Sequence, residues 1–247
     1  MKKTASKIQS DSKPFISVVI PAYNEEQYLP ACLDALNKQS YPRDKFEILL
    51  IDNNSSDKTA TVAKAAHVKV ITEKKQGHVF ALDTGMRKAQ GEIIAVTDAD
   101  TKVKQNWLET IEKLFRDESI VGVTGFGEHH VESKLNQAIL KYTQYLYFKA
   151  HFALGKTGLS GLSFAVRKEA FYKVNGLDTR YRIFSDAELG LRIKKIGKVV
   201  FCKDLLASTS ARRMKKGSFE DQYKYLNSYF KTVWLQQPPK GDLTPRR

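Results

Sequence analysis

Two aspartates, Asp98 and Asp100, follow a short run of branched and small apolar residues that begins near Ile93. A short apolar run bounded by turn residues is typical of a buried strand in a parallel sheet. The carboxyl ends of such strands form the edge at which open α/β sheets bind ligands. Mg²⁺ and Mn²⁺ typically take one or two protein carboxylates and leave their other positions to water and phosphate oxygens. The pair therefore predicts a divalent-metal site, and a solvated acidic loop is the alternative for an isolated Asp-x-Asp.

Three other predicted strands in the first half of the chain also end in loops that could carry function. They cover 15–20, 46–51 and 68–71, and their loops contain Pro21 to Glu25, Asp52 and Gly77. Helical patterns lie between them at 29–36, 59–66 and 77–89, and a fourth helix containing Trp107 follows Asp100. This alternation predicts an α/β fold with a mostly parallel sheet flanked by helices and joined by right-handed crossovers.

The second half of the sequence alternates less regularly. Its predicted elements are a strand at 121–127, an aromatic-rich helix at 135–154, an extended stretch at 159–166, helices at 168–174 and 186–196, a strand at 199–202, a strand-like stretch at 205–210, and an amphipathic helix through Phe219 and Val233. No repeat or low-complexity linker separates the halves. We therefore expect one domain over 14–236, divided at 127/128, between polar tails at 1–13 and 237–247.

Composition narrows the class of protein. The chain has 247 residues, 42% of them hydrophobic and 28% charged, which is enough to bury a large core and argues against disorder. Cys32 and Cys202 lack metal-ligand spacing and are interpreted as reduced and buried, which favours the cytoplasm. The basic start lacks the apolar segment of a signal peptide, and no apolar run is long enough to span a bilayer.

Positive charge is concentrated towards the end of the chain. The formal net charge is +14, and the last 56 residues hold fourteen Lys and Arg against four Asp and Glu. Such a segment attracts phosphorylated ligands, anionic lipid or nucleic acid. A solvated basic face that aids solubility is the alternative.

Four motifs in this order resemble glycosyltransferase family 2. They are Val19 to Glu25, Ile51 to Thr59, Thr97 to Asp100, and Ser185 to Arg192, and the resemblance extends from about Phe15 to Arg213. It implies a GT-A fold, the Rossmann-like architecture of nucleotide-diphospho-sugar transferases. It also implies inverting, metal-dependent transfer, with 14–127 as the nucleotide-sugar half and 128–236 as the acceptor half.

The resemblance assigns donor-binding roles to the strand ends. It implies a nucleotide shelf at Pro21, Ala22 and Tyr23, a ribose or loop-ordering contact at Glu25, a nucleobase acceptor at Asp52, and a close approach of the Gly77 backbone to the phosphates, where Lys74 or Lys75 could pair with them. Asp100 would hold Mg²⁺ or Mn²⁺, with Asp98 touching ribose or metal-bound water. Arg212 and Arg213 could contact the diphosphate. Tyr23 as a packed turn residue, Asn24-Glu25 as a helix cap and the Arg pair as a solvated turn remain alternatives, and Asp57 is interpreted as a helix start.

The acceptor side depends on Asp186, which the resemblance implies is the general base. The family usually has Glu before this Asp, whereas Ser185 stands here, and we expect its hydroxyl to cap the helix. Ser160 and Gly161 resemble a segment that lines the acceptor site. Asp83 stands where the family commonly has Asn. His129 and His130 have no third metal ligand near them and are interpreted as loop histidines, and His67, His78 and His151 offer no better metal site.

The expected protein is a glycosyltransferase that uses a UDP- or GDP-sugar and a hydroxyl acceptor, either lipid-linked or a cell-envelope polysaccharide precursor. The aromatic and basic helices allow peripheral contact with anionic lipid on the cytoplasmic face of a membrane, and packing on the sheet is the alternative.

A nucleotidyltransferase would need a Gly-rich basic loop after the first strand, which is absent. A nucleic-acid-binding module fits the charge, but acidic strand ends would repel phosphates, so no specific nucleic acid is expected. A fold that has lost its activity is a further alternative, because of Ser185.

Overall fold

The computed structural model describes residues 13–129, 142–143, 145–146, 149–156, 158–209 and 219–239. Eight strands lie in this part of the chain: β1 (Ile16–Ala22), β2 (Phe46–Asp52), β3 (Lys69–Thr72), β4 (Ile93–Val96), β5 (Thr101–Val103), β6 (Ile120–His129), β7 (Phe164–Arg167) and β8 (Lys198–Thr209). Seven helices accompany them: α1 (Leu29–Asn37), α2 (Thr59–Ala65), α3 (His78–Lys88), α4 (Trp107–Phe115), α5 (Lys168–Lys173), α6 (Ser185–Ile193) and α7 (Phe219–Val233). Residues 142–143, 145–146 and 149–153 are also helical, and the rest of the predicted helix 135–154 lies outside the described residues.

The strands form one sheet in the order β3-β2-β1-β4-β7-β6-β8-β5. The first four are parallel to one another, as the alternation of strands and helices predicts. Strand β7 runs antiparallel to β4 and β6, and β5 runs antiparallel to β8. The sheet is therefore mixed, but the part formed by β1, β2, β3 and β4 is parallel, so the carboxyl ends of these strands meet at one edge.

Alternating apolar residues on β1 and β2 explain why this sheet has helices on both faces. Val18 and Leu50 lie in one core cluster together with Leu33 of α1, whereas Val19 and Leu49 lie in a second cluster. The second cluster contains Leu82 and Met86 of α3. All of these side chains are at most 2% exposed. Because successive strand residues point to opposite faces, each strand contributes to both clusters, and burial fixes the register.

The structure corrects two boundaries in the second half of the chain and adds one strand in the first half. The predicted strand 199–202 and residues 205–209 of the strand-like stretch 205–210 are one strand, β8, and Ser210 lies outside the described residues. Only Phe164–Arg167 of the extended stretch 159–166 is paired. Strand β5 was not predicted, because three residues are too few to show a periodicity. Within the described residues, no helix is long and apolar enough to cross a membrane.

Candidate active site

The loops after β1 and β2 are joined by hydrogen bonds from Asn24. Its backbone N–H donates to Ser55 Oγ at 2.9 Å, and its side-chain Oδ1 accepts from the Ser56 N–H at 2.8 Å. Asn24 has a φ of 54°, a conformation that Asn adopts more readily than most residues. The Asn-Glu pair is therefore a loop-joining element here, and α1 begins only at Leu29.

A second asparagine joins these loops to the segment after β3. Asn53 Nδ2 donates to the backbone oxygens of Glu73 and Lys75 at 2.9 and 2.8 Å, and its Oδ1 accepts from the Gly77 N–H at 2.7 Å. Its side chain is almost fully buried, at 3% exposed. The three loops consequently form one rigid platform at the carboxyl edge of the parallel strands.

The predicted nucleotide-binding residues lie on this platform. Ala22 is buried, and Tyr23 is partly exposed beside it. Glu25 is buried, and its backbone N–H donates to Thr59 Oγ1 at 2.7 Å, which ties it to the start of α2. Asp52 is buried at the end of β2 and accepts from the Ser55 N–H at 3.2 Å.

The interpretation of Asp57 as part of a helix start agrees with the structure. Its carboxylate accepts from the Thr59 N–H at 2.9 Å, at the first residue of α2. Asp83 has a similar structural role. Its Oδ1 accepts from the Leu177 N–H at 3.0 Å, and its Oδ2 accepts from Arg87 at 2.7 Å.

Asp98 and Asp100 occupy a tight turn between β4 and β5, closed by a 3.1 Å hydrogen bond from the Thr101 N–H to the Asp98 oxygen. Asp100 accepts from Thr209 Oγ1 at 3.3 Å. Beneath the turn, burial and then the charges of Asp98 and Asp100 raise the pKa of the Cys32 thiol far above its usual range. Cys32 therefore stays protonated, and its Sγ lies 3.6 Å from the Asp98 backbone oxygen.

Asp186 is the second residue of α6. Burial raises the pKa of its carboxyl above the usual range, against the opposing effects of the Ala187 N–H, the charge of His78 and the Gly161 N–H. A carboxylate held by N–H groups at a helix start, with a raised pKa, is a suitable general base.

The N-terminal cap of α6 differs from the expected serine cap. Ser185 is buried as the first helical residue, and the cap position belongs to Phe184, which makes no side-chain capping bond. The expected cap by the Ser185 hydroxyl is therefore wrong. Phe184 has a φ of 58°, which is unusual for a bulky residue and is found mainly at functional sites.

His78 is the residue that sequence reasoning missed. It is the first residue of α3, and its Nε2 lies 3.7 Å from Asp98 Oδ1. When protonated, it also favours the charged form of Asp186, so an electrostatic interaction links His78 with the start of α6. The signal in the sequence was its position directly after Gly77, at the same sheet edge as the aspartates.

The segment 158–163, which includes the predicted Ser160 and Gly161, packs against α6 and the sheet. The Ser160 N–H donates to Thr124 Oγ1 at 3.0 Å, and Thr97 Oγ1 donates to the Leu162 oxygen at 3.1 Å. A Cβ on Gly158 would lie 3.0 Å from the Cβ of Ala187. This segment therefore forms a wall beside Asp186.

We expect Gly161→Ala to lower turnover about tenfold while leaving donor affinity unchanged, since small displacements of reacting groups are costly. The new Cβ would lie 3.2 Å from Asp186 Oδ2, so the carboxylate has to move. Steady-state kinetics and a thermal melt test this, with Ser119→Ala, at an exposed position directly before β6, as the control. Unchanged turnover in Gly161→Ala would show that the position of Asp186 does not matter.

The residues present fit a divalent cation of the magnesium type, but only in part. Within the described segments, no group of three His, Cys, Asp or Glu side chains could hold a metal alone. Asp98 and Asp100 offer two carboxylates on one turn, and Mg²⁺ usually completes such a set with water and substrate phosphates. The site could thus hold a metal jointly with a phosphorylated ligand. The predicted diphosphate contacts Arg212 and Arg213 lie outside the described residues.

Comparison with known proteins identifies the family. The sequence model for glycosyl transferase family 2 matches residues 17–179. Glycosyltransferase AglE of Haloferax volcanii is 38% identical over 39% of this chain and 34% of its own length. A Methanococcus voltae relative is 26% identical over 90% of this chain and 77% of its own length. It is named as a transferase of a diacetamido-dideoxy-glucuronosyl group to dolichyl N-acetylglucosaminyl phosphate.

Solved structures show the same fold. Mannosyltransferase PcManGT from Pyrobaculum calidifontis, in complex with GDP-Man and Mn²⁺, superimposes with a TM-score of 0.70 at 19% identity, over 95% of this chain and 67% of that one. S. aureus TarS 1–349 in complex with UDP-GlcNAc gives a TM-score of 0.66 at 16% identity, over 93% and 68%. At these identities the likeness concerns the fold, which is the GT-A fold that the sequence predicts.

Proposed function

This chain belongs to glycosyl transferase family 2, and we propose that it transfers a sugar from a UDP- or GDP-sugar to a hydroxyl acceptor with inversion. One observation carries the proposal. The segment 158–163 joins the two acidic sites, because Leu162 accepts a hydrogen bond from Thr97, directly before Asp98, and Gly161 lies against the Asp186 carboxylate. A metal-bound donor and a general base would therefore share one cleft. Inverting transfer needs this arrangement, because the acceptor attacks the face opposite to the leaving diphosphate.

The chemistry of the step follows from these groups. Asp186 accepts the proton of the acceptor hydroxyl while the oxygen of that hydroxyl bonds to the anomeric carbon. The bond from the anomeric carbon to the diphosphate breaks in the same step. The raised pKa of Asp186 makes it a stronger base than an exposed aspartate. Mg²⁺ or Mn²⁺ held by Asp100, with Asp98, would neutralise the charge that develops on the leaving diphosphate. The platform that carries Tyr23, Glu25 and Asp52 would receive the nucleoside.

A thermal-shift panel of UDP-, GDP-, CDP- and TDP-sugars, with and without Mn²⁺, tests the proposal. A donor at a hundred times its Kd should stabilise the fold by about 2.7 kcal/mol. We expect UDP- or GDP-sugars to give such a shift, and the shift to require Mn²⁺. If no nucleotide sugar raises the melting temperature, with or without metal, the proposed donor class is wrong.

We further propose that the acceptor is linked to a lipid and that the enzyme works on the cytoplasmic face of a membrane. A hydrophobic patch formed by Leu154, Phe230, Trp234 and Leu235 supports this, because these side chains are 38–64% exposed. Lys156 lies 5.2 Å from the Trp234 ring centroid, and Lys149 and Lys224 are exposed on the same two helical segments. Exposed aromatic and aliphatic groups among lysines suit an anionic membrane interface.

The hydrophobic patch is connected to the candidate active site by contacts between aromatic rings. The Tyr229 ring contacts Phe184, at 5.3 Å between centroids, and Phe184 directly precedes α6. The same tyrosine contacts His151, whose ring also contacts Trp234. An acceptor held at the patch would consequently lie near the helix that carries Asp186. The dolichyl-phosphate acceptor named for the M. voltae relative agrees with a lipid-linked acceptor.

We expect the protein to float with vesicles of phosphatidylcholine and phosphatidylglycerol at low salt, and much less with phosphatidylcholine alone. Each lysine near an anionic surface contributes about 1 kcal/mol. Phe230→Ser with Trp234→Ser should reduce flotation, while Tyr172→Ser, which removes an equally exposed aromatic outside the patch, should not. A wild-type protein that stays at the bottom of the gradient under all conditions would contradict membrane contact.

A further inference from the structure

The residue directly before the helix that carries Asp186 has an unusual backbone conformation. Phe184 has a φ of 58° and a ψ of 25°, which lie in the left-handed region. In this region the Cβ atom comes too close to the following carbonyl oxygen, so a bulky residue stays there only when its surroundings hold it. The contacts of Phe184 therefore decide how α6 begins.

The start of α6 in turn sets the position of the Asp186 carboxylate. The Phe184 backbone oxygen accepts a hydrogen bond from the Glu188 N–H at 3.0 Å, which closes the first turn of the helix. Asp186 lies within this turn, and its carboxylate accepts from the Ala187 N–H. A rotation of the backbone at Phe184 would therefore move the carboxylate relative to Gly161 on the facing segment.

An aromatic ring of the C-terminal helix packs against Phe184. The Tyr229 ring meets the Phe184 ring edge to face, with 5.3 Å between centroids and 79° between planes. His151 contacts Tyr229 as well, at 5.9 Å between ring centroids. An edge-to-face pair stabilises by about the same free energy as a left-handed backbone costs a bulky residue. The contact with Tyr229 is therefore strong enough to offset the strain at Phe184.

The C-terminal helix is anchored on the side that carries Tyr229. Thr232 and Val233, three and four residues further along the chain, are 0% exposed. Residues at these spacings share one face of a helix, so Tyr229 belongs to the face that packs against the rest of the protein. Phe230 and Trp234 of the hydrophobic patch are exposed instead. The packing of α7 consequently fixes the position of Tyr229 beside α6.

We propose that Phe184 and Tyr229 are positioning residues for the general base. Tyr229 holds Phe184 in the left-handed conformation, and this conformation places the Asp186 carboxylate in the cleft. The inference rests on the proposed function for the role of Asp186. It adds that turnover, but not donor binding, depends on a ring of the C-terminal helix.

Two substitutions of Phe184 separate the effect of its backbone conformation from that of its ring. Phe184→Asn and Phe184→Val both remove the ring, but Asn adopts a positive φ more readily than a β-branched residue does. We expect hydrolysis of the nucleotide sugar to slow by about tenfold or more in Phe184→Val and by at most about threefold in Phe184→Asn, with the donor Kd unchanged. Equal losses of turnover in the two variants would overturn the positioning role of Phe184.

Tyr229→Leu and Tyr172→Leu form a matched pair, because each removes a tyrosine that meets a phenylalanine edge to face. The Tyr172 ring lies 5.5 Å from the Phe171 ring, with 82° between planes. Loss of such a contact shifts a two-state equilibrium by about three- to tenfold, so Tyr229→Leu should lower turnover by this factor at an unchanged donor Kd. Tyr172→Leu should lower the melting temperature but not turnover. Tyr229→Phe keeps the ring and should retain most of the turnover.

The start of α6 can also be measured without a substrate. Amide hydrogen exchange followed by NMR reports on the Glu188 N–H, which donates to the Phe184 oxygen. Relative to the Leu191 N–H of the same helix, this amide should exchange about three- to tenfold faster in Tyr229→Leu than in Tyr172→Leu. Equal relative exchange in the two variants would overturn the inference, whatever their turnover.

Failure of the positioning role can be distinguished from failure of the proposed function. If the wild type hydrolyses no nucleotide sugar, the proposed function fails, whereas faster exchange of the Glu188 N–H in Tyr229→Leu still supports the control of α6 by Tyr229. If Asp186→Asn loses turnover but Tyr229→Leu and Phe184→Val turn over as fast as Tyr172→Leu, the positioning role is overturned and the general base stands.

Discussion

Replacement of Asp186 by Asn should lower turnover by roughly 10²–10⁴-fold, the range that general acid–base catalysis contributes. The amide cannot accept the proton of the acceptor hydroxyl, although it can still accept hydrogen bonds from the N–H groups of Ala187 and Gly161. Donor affinity should therefore change little. Because hydrolysis of the nucleotide sugar uses water as the acceptor, release of nucleoside diphosphate measures the effect without knowledge of the natural acceptor.

Asp204→Asn is the control for this substitution, since Asp204 is an exposed aspartate on β8. It should leave turnover and the thermal melt unchanged. Turnover of Asp186→Asn close to that of the control would show that Asp186 is structural and that the base lies elsewhere.

The pKa of Asp186 also predicts a pH dependence. Because burial raises this pKa, turnover should rise with pH through an apparent pKa above about 3.9, the usual value for aspartate.

The free energy of unfolding should depend on pH with the opposite sign. The folded state binds the Asp186 proton more tightly than the unfolded state does, so the wild type should lose free energy of unfolding relative to Asp186→Asn as pH rises through this range. Equal pH dependence of unfolding in the two proteins would contradict the raised pKa.

Replacement of Asp100 by Ala should abolish Mn²⁺-dependent donor binding. Asp100 is buried at the turn after β4, and we propose that it is the direct metal ligand. At a hundred times the wild-type Kd, the donor should stabilise the wild type by about 2.7 kcal/mol and leave the variant almost unshifted.

Thr209→Val is the matched control for Asp100→Ala. It removes the 3.3 Å hydrogen bond to the Asp100 carboxylate but keeps the carboxylate itself. This variant should retain a Mn²⁺-dependent shift, though with lower affinity. If Asp100→Ala binds the donor with wild-type affinity in Mn²⁺, the assignment of Asp100 is wrong.

The parallel part of the fold could be predicted from the sequence, because its signals are local. The run 48–51 is apolar throughout, since both faces of the strand are covered, and it ends at Asp52. Once parallel strands are inferred, their carboxyl ends must meet at one edge. Asp52, Gly77 and Asp98 are therefore expected at the same edge from the order of strands and loops alone.

Features that depend on non-local pairing could not be predicted in the same way. Strand β7 is inserted antiparallel between β4 and β6, and nothing in residues 164–167 reveals their partners. His78 has no metal-ligand spacing in the sequence, and its place in the candidate site follows only from its distance to Asp98. The stacking of Arg182 on Phe80 joins residues that are far apart in the sequence. Phe184, with a left-handed backbone, occupies the cap position of α6 where a serine cap was expected. The preference of Ser for helix starts does not predict this.

The anomeric configuration of the released sugar tests the central claim most directly. Wild-type protein with Mn²⁺ and an α-linked nucleotide sugar chosen from the thermal-shift panel would be followed by proton NMR from the start of hydrolysis, before the free sugar equilibrates. If Asp186 activates water on the face opposite to the diphosphate, the first product is the β-anomer, and Asp186→Asn forms it far more slowly. Initial release of the α-anomer would contradict a single inverting displacement at this site.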